Sequence, residues 1–213
     1  MTSYYPVFLD LKGRSCVVIG GGRIAEGKIK SLIEHDCSIT VISPEATPAI
    51  RKWANQDKIT WHERVYQEGD LKGAFVAIAA TNITEVNRVI AQEAESERVL
   101  LNVVDYPPLC TFIAPSVVKR GQVTFAISTG GASPALARKL REALEESDLL
   151  DYAELAPLLS KARREVKTRG LQVPPDRWQQ YITTDLIDMV RKGREVEALE
   201  TLLSGLATAE EAP

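Results

Sequence analysis

Ser15-Cys16-Val17-Val18-Ile19-Gly20-Gly21-Gly22-Arg23-Ile24-Ala25 is the stretch on which the fold turns. A short apolar, β-branched run ends in three glycines, and apolar residues at helical spacing follow (Ile24, Ala25, Ile29, Leu32, Ile33). That order reads as strand, tight turn, helix. Gly20, Gly22 and Ala25 occupy the three key places of G-x-G-x-x-[GA]. The first glycine permits the tight turn, the second lets backbone approach a pyrophosphate, and the small third residue lets helix and strand pack closely. The helix start then offers free N–H groups and a partial positive charge to phosphate. Gly20, Gly22, Arg23 and Ile24 are therefore expected to bind a dinucleotide. The alternative is a plain glycine turn in an α/β protein.

Further apolar runs follow this unit. Ser38 to Ser43 reads as a second strand, stopped by Pro44, and Ile59 to Val65 alternates weakly as a third. Gly73 to Thr81 contains the clearest buried strand. A helix follows from about Thr84 to Glu95, and then another strand from Val99 to Val104. Strands alternating with helices predict an α/β fold: a Rossmann-type parallel sheet with helices on both faces. The pattern changes after Asp105. Thr111 to Val118 and Gln122 to Ser128, separated by Lys119-Arg120-Gly121, suit a β-hairpin. Ser133 to Glu146 reads as a helix, capped by Ser133 with Pro134 in its first turn. From Asp148 the pattern is helical, broken by Gly170 and Pro174-Pro175, and residues 208–213 are expected to be a loose tail. The expected division is a dinucleotide-binding domain over 1–110, a hairpin region over 111–146 and a helical region over 147–213.

Composition limits the function classes. The 213 residues are 45% hydrophobic with a formal net charge of −3. This supports a packed core and offers no global attraction to nucleic acid or to a membrane surface. Cys16, Cys37 and Cys110 are odd in number and far apart in sequence, which argues against a disulfide framework and fits a reducing cytoplasm. Met1 to Pro6 lacks the basic and apolar regions of a signal peptide, and no apolar run is long enough to span a bilayer. His35 and His62 lie in different elements without a partner at metal-ligand spacing, so no tight metal site is expected.

The acidic residue that usually ends the second strand and binds ribose is replaced here by Ser43, followed by Pro44 and Glu45. Ser43 could bond a ribose hydroxyl, or Glu45 could reach back. With no Arg or Lys beside Ser43, and with Glu45 there to repel a 2′-phosphate, NAD is favoured over NADP. Glu45 also reads as an ordinary solvated loop charge.

Several segments then agree in order with one family. Tyr5-Pro6-Val7-Phe8-Leu9-Asp10-Leu11 leads into the glycine turn. Next come Ala79-Ala80-Thr81-Asn82, Val86-Asn87, Asn102-Val103-Val104-Asp105, Phe112-Ile113-Ala114-Pro115-Ser116 and Ser128-Thr129-Gly130-Gly131-Ala132-Ser133-Pro134. Together these resemble the precorrin-2 dehydrogenase/sirohydrochlorin ferrochelatase family of sirohaem synthesis, closely over 5–146 and in outline beyond. The chain ends well short of the methyltransferase domain that some sirohaem synthases add, and so resembles the stand-alone form. The resemblance implies NAD-dependent oxidation of precorrin-2 to sirohydrochlorin and a homodimer joined through the hairpin regions. It also implies that the aspartate of the N-V-V-D motif, here Asp105, is the functional residue. In bifunctional members that aspartate also serves insertion of Fe²⁺, a transient substrate.

The residues suit that chemistry. A carboxylate at the carboxyl end of a parallel strand faces the crevice where dinucleotides lie, so Asp105 is a credible general base. It also reads as a turn-forming Asp before Tyr106-Pro107-Pro108. Thr81, at the end of the fourth strand, can line the same crevice, or it can cap the next helix, as Asn82 or Thr84 also can. Ser128, Thr129, Gly130 and Ser133 form a hydroxyl- and glycine-rich loop running into a helix start, which suits the carboxylate arms of the substrate. The same residues also make an ordinary glycine loop and N-cap. Lys161, Arg163, Arg164, Lys167 and Arg169 read as a solvated face. Two further readings stay open: a non-catalytic NAD-sensing module and a dehydrogenase of another pathway.

Overall fold

The structure is a computed structural model, and it describes residues 4–207. The expected tail at 208–213 and the first three residues of the Met1–Pro6 segment lie outside that range. The chain forms two compact units, residues 1–114 and 115–213.

In the first unit the strands are β1 (Ser15–Ile19), β2 (Ser38–Ile42), β3 (Thr60–His62), β4 (Val76–Ala79) and β5 (Leu100–Val103). They form one parallel sheet in the order β3-β2-β1-β4-β5. Three helices connect them: α1 (Arg23–Ile33), α2 (Pro48–Asn55) and α3 (Thr84–Ser96). Side chains alternate across the strands, so each strand feeds two cores. Cys16, Val18, Ile39, Val41, Val76 and Ile78 pack with Ala25, Ile29 and Leu32 of α1 and Ile50 of α2. Val17, Ile19, Ile42, Ala77, Leu101 and Val103 pack with Ile90 and Ala94 of α3 on the other face. Helices on both faces of a parallel sheet are the architecture expected from the sequence, and the chain order places a switch point between β1 and β4.

Two polar locks hold the long connection from β3 to β4. Arg64 makes a bidentate pair with Asp70, 2.7 Å at each contact, which lowers the Asp70 carboxyl below its ordinary range. The buried Glu93 of α3 accepts from the Tyr66 hydroxyl and from the Leu71 N–H. Burial, and then the hydrogen bond to Glu93, raises the Tyr66 hydroxyl above its ordinary value.

The second unit contains a hairpin of β6 (Ser116–Arg120) and β7 (Val123–Ile127) followed by helices α4 (Pro134–Glu145), α5 (Ala156–Thr168), α6 (Pro175–Tyr181), α7 (Thr184–Arg191) and α8 (Glu195–Ala207). A 3-10 segment, Asp148–Leu155, joins α4 to α5. The hairpin starts later than the apolar run suggested. The N–H groups of Thr111 and Phe112 both donate to the Leu101 carbonyl, and the Thr111 hydroxyl accepts from the Leu101 N–H at 2.7 Å. The segment therefore folds back on β5, and Pro115 brings no N–H to a ladder. Lys119 and Arg120 belong to β6, leaving Gly121-Gln122 as a two-residue turn with Gly121 at φ +57°, the glycine placement such turns favour. Ser133 caps α4 as expected, accepting from the Leu136 N–H. The helical core of this unit joins Leu158 and Ala162 of α5, Leu186 and Ile187 of α7, and Leu202 and Leu206 of α8. Among the described residues no helix is long and apolar enough to cross a membrane.

Candidate functional site

The carboxyl ends of the parallel strands are zipped together by backbone bonds. Gly20 N–H donates to Ile42 (2.9 Å), Ala80 N–H to Ile19 (2.7 Å), Val104 N–H to Ala79 (2.9 Å) and Ser43 N–H to His62 (3.2 Å). This continuous edge carries Gly20, Ser43, Thr81 and Asp105.

The three glycines of the turn meet different surroundings. Gly20 has φ +119°, and a Cβ there would stand 2.5 Å from the Ala80 carbonyl oxygen. A Cβ on Gly21 would stand 2.0 Å from the Glu45 carbonyl oxygen and 2.7 Å from the Ser43 hydroxyl. Gly21 also accepts from the Thr47 N–H at 3.0 Å. A Cβ on Gly22 would meet nothing within 4 Å. Gly22 is the N-cap of α1, and no side chain caps that helix. Its first N–H groups thus have no side-chain acceptor and start beside a glycine with open space at its Cβ position, the arrangement a pyrophosphate needs. Arg23 and Ile24 are exposed in the first turn, Ile24 at 54%.

Ser43 is buried, and its hydroxyl donates to the Glu45 carbonyl at 2.6 Å. Its backbone carbonyl accepts from the Trp61 indole at 3.0 Å. Pro44 and Glu45 are exposed. No cation neighbours Ser43 along the chain, but Arg51 packs on the same loop. The Arg51 guanidinium donates to the Ala46 carbonyl at 3.1 Å and stacks on Trp61 at 4.8 Å. The helical offset from Ala46 to Arg51, with an aromatic residue in the next strand, is the only sequence signal that could have shown this.

Thr81 follows β4. Its hydroxyl accepts from the Ile83 N–H, and its carbonyl accepts from Asn87 Nδ2 at 3.1 Å. None of Thr81, Asn82 or Thr84 caps α3. Ile83 stands at the N-cap, without a side-chain bond. Asn87 is buried, and the bond to Thr81 fixes which of its amide atoms is oxygen. That oxygen, Oδ1, has no donor among the described residues. Nothing in the spacing around Asn87 signals this role.

Asp105 is exposed at φ +58°, in a turn closed by Tyr106 N–H to Val103 (3.2 Å). Asp tolerates this left-handed conformation better than most residues. Its carboxylate has no side-chain partner among the described residues. Two groups missed at the sequence level shape its loop. Cys110 Sγ lies 3.2 Å from both the N–H and the carbonyl oxygen of Val103. Asn102 Nδ2 donates to the Phe112 carbonyl at 3.1 Å. Burial raises the Cys110 thiol above its ordinary range, so it remains a hydrogen-bonding group here rather than a nucleophile.

These residues fit a dinucleotide: open space at Gly22, an uncapped helix start, and an unsatisfied acceptor, Asn87 Oδ1, behind Thr81. Residues 7–116 match an NAD(P)-binding family, and residues 120–147 match the family described as "Sirohaem biosynthesis protein central". The chain belongs to the NAD(P)-binding family of sirohaem biosynthesis. A "Siroheme synthase" of Methylobacillus flagellatus is 38% identical over 94% of this chain and 44% of its own length. Another, from Nitrosococcus oceani, is 35% identical over 95% and 44%. The chain thus spans less than half the length of the curated relatives it matches. The solved structure of "SirC, precorrin-2 dehydrogenase" is 29% identical with a TM-score of 0.71, covering 93% of this chain and 98% of that one. The likeness to that structure runs along nearly the whole chain.

In the second unit, Ser128 accepts from the Gly130 N–H (3.1 Å), Thr129 bonds the backbone of Ser133, and Ser133 caps α4. Gly130 and Gly131 have φ +63° and +87° with open space around them. The four residues expected to bind substrate thus form one loop, each already used locally. His35 closes α1 through Ser31, and His62 ends β3. Among the described residues no group of three or more His, Cys, Asp or Glu is placed to hold a metal.

Proposed function

We propose that the chain oxidises precorrin-2 to sirohydrochlorin, with NAD⁺ accepting the hydride. The observation that carries this reading is the pairing, at one sheet edge, of an open phosphate cradle at Gly22 with the unpartnered carboxylate of Asp105. When bound, the nicotinamide ring takes up the hydride. Gly22, Arg23 and Ile24 hold the pyrophosphate on backbone N–H groups, and Gly20 keeps the turn close to β4. Ser43, Pro44 and Glu45 flank the ribose, and Thr81 with Asn87 orients the nicotinamide half. Asp105 accepts the proton that leaves with the hydride, so the substrate loses one hydride and one proton in balance. In the Ser128, Thr129, Gly130 and Ser133 loop, the Ser128 and Ser133 hydroxyls accept locally and keep their protons to donate to substrate carboxylates.

Glu45 supports NAD over NADP, because a 2′-phosphate would face its charge while Arg51 is already engaged with Ala46 and Trp61. A homodimer through the hairpin region is supported by Val117, Leu136 and Leu140, each about half exposed on β6 and α4. A two-stranded sheet also leaves edges that a second copy would cover. The free carboxylate of Asp105 equally suits removal of pyrrole protons during Fe²⁺ insertion, which makes a bifunctional enzyme the second reading. An anaerobic absorbance assay tests both. Precorrin-2 with NAD⁺ should convert to sirohydrochlorin with equimolar NADH, and Fe²⁺ added afterwards reads chelation. No conversion by folded, cofactor-binding protein would overturn the proposal.

A further inference from the structure

The helical unit contains a groove of about 870 Å³ that none of the roles above uses. One wall is a stripe of α5 in which Leu159, Arg163 and Lys167 recur at helical spacing, and the other is Trp178 of α6 with Ile182 just past the end of that helix. The groove is built rather than incidental. Arg177, on another face of α6, donates to the Gly205 carbonyl of α8 and stacks on Tyr181. Gly205 must be glycine, since a Cβ there would overlap the Tyr181 ring. This pins α6 while leaving Trp178 toward α5.

Charge singles the groove out. The chain is net negative, but no lining residue is acidic and two are cations. Among the described residues neither Arg163 nor Lys167 pairs with a carboxylate, whereas Arg138, Arg141, Arg169, Arg191 and Arg194 all do. The Trp178 indole N–H also has no acceptor among them. The size suits a small-molecule ligand. An indole and aliphatic wall beside two cations one turn apart recognises a flat apolar ring edged with carboxylates.

We propose that this groove is a second, non-catalytic binding site for a carboxylated tetrapyrrole, which holds substrate or product on the helical unit. The proposal rests on the functional reading above for the choice of ring, and on Arg163, Lys167 and Trp178 for the site.

The probe is uroporphyrin, a stable octacarboxylic porphyrin, titrated into the full chain while tryptophan emission is followed. Trp53 and Trp61 lie in the first unit, so Trp178 reports the groove. Quenching should saturate, weaken as salt rises, and lose its main component in Trp178→Phe. Arg163→Glu with Lys167→Glu should weaken this phase roughly tenfold or more, as loss of two charge-assisted contacts implies. NADH binding and precorrin-2 turnover at saturating substrate should be unchanged. If the charge reversal misfolds, the Arg163→Gln, Lys167→Gln pair should show the same weakening. Unaltered quenching in a folded double variant overturns the proposal. So does displacement of uroporphyrin by a mixed Glu/Leu helical peptide that binds more tightly, which would make the groove a protein-docking surface. Absent turnover with intact groove binding would instead count against the dehydrogenase reading alone.

Discussion

Two glycine runs in this chain lead into helices, and their surroundings differ. At Gly20-Gly21-Gly22 the first two glycines are pressed against Ala80 and Glu45, and the third opens onto space at an uncapped helix start. At Gly130-Gly131 both glycines have positive φ and no close neighbour, and Ser133 caps the helix that follows. The first run uses glycine for close approach and vacant volume, the second for backbone conformation alone. The motif letters do not separate these uses. What separates them is what a Cβ would touch and whether the helix N–H groups already have partners.

The largest expected effect contrasts the strand edge with the hydroxyl loop. Asp105→Asn keeps a residue that tolerates φ +58° and should lower precorrin-2 turnover about 10²–10⁴-fold, the usual cost of losing a general base. NADH affinity should be unchanged. Ser128→Ala should mainly raise KM. Near-wild-type turnover of the Asn variant would remove Asp105 from the chemistry.

The next effect is on stability. Gly21→Ala places a methyl 2.0 Å from a backbone carbonyl and should cost about 3 kcal/mol, the upper range for overpacking. Thermal denaturation would measure it, and an unchanged Tm would mean that the 43–47 loop yields freely. Gly22→Val, in contrast, should leave Tm nearly unchanged. It should weaken NADH binding by about 2 kcal/mol, roughly thirtyfold, because the side chain fills the phosphate space. Gly131→Ala should cost only about 1 kcal/mol, the left-handed penalty, with no change in cofactor affinity.

The smallest effect concerns acid. The folded value of Asp70 lies below its unfolded 3.8 because Arg64 pairs with it. Its contribution is therefore complete above that value and is lost as pH falls through the lowered one. Arg64→Met should therefore lower stability modestly at neutral pH and converge with the parent protein in acid, which flattens the stability profile below about pH 4. An unchanged acid limb would mean that the pair adds nothing.

The sequence carried the parallel sheet because buried strands such as Val76–Ala79 and the strand-glycine-helix order are local patterns. The hairpin's start was misplaced because what stops it is tertiary: the return of Thr111 and Phe112 onto Leu101. Cys16 and Cys37 looked distant, yet folding makes them neighbours. Burial, and then the Cys37 thiol, pushes the Cys16 thiol up to about 12. Arg51 near Ser43, the unsatisfied oxygen of Asn87 and the Cys110 latch were not legible either. Each depends on which element lies beside which, and spacing along the chain does not encode that.

If the two glycine runs differ as proposed, a nicotinamide dinucleotide sits on the first and not the second. Amide chemical shifts followed by NMR during NAD⁺ titration of the full chain would test it directly. Saturable shifts are expected at Gly22, Arg23, Ile24 and Thr81, with Gly130 and Gly131 unmoved. Shifts confined to residues 128–133, or none at Gly22 to Ile24 under saturation, would contradict it.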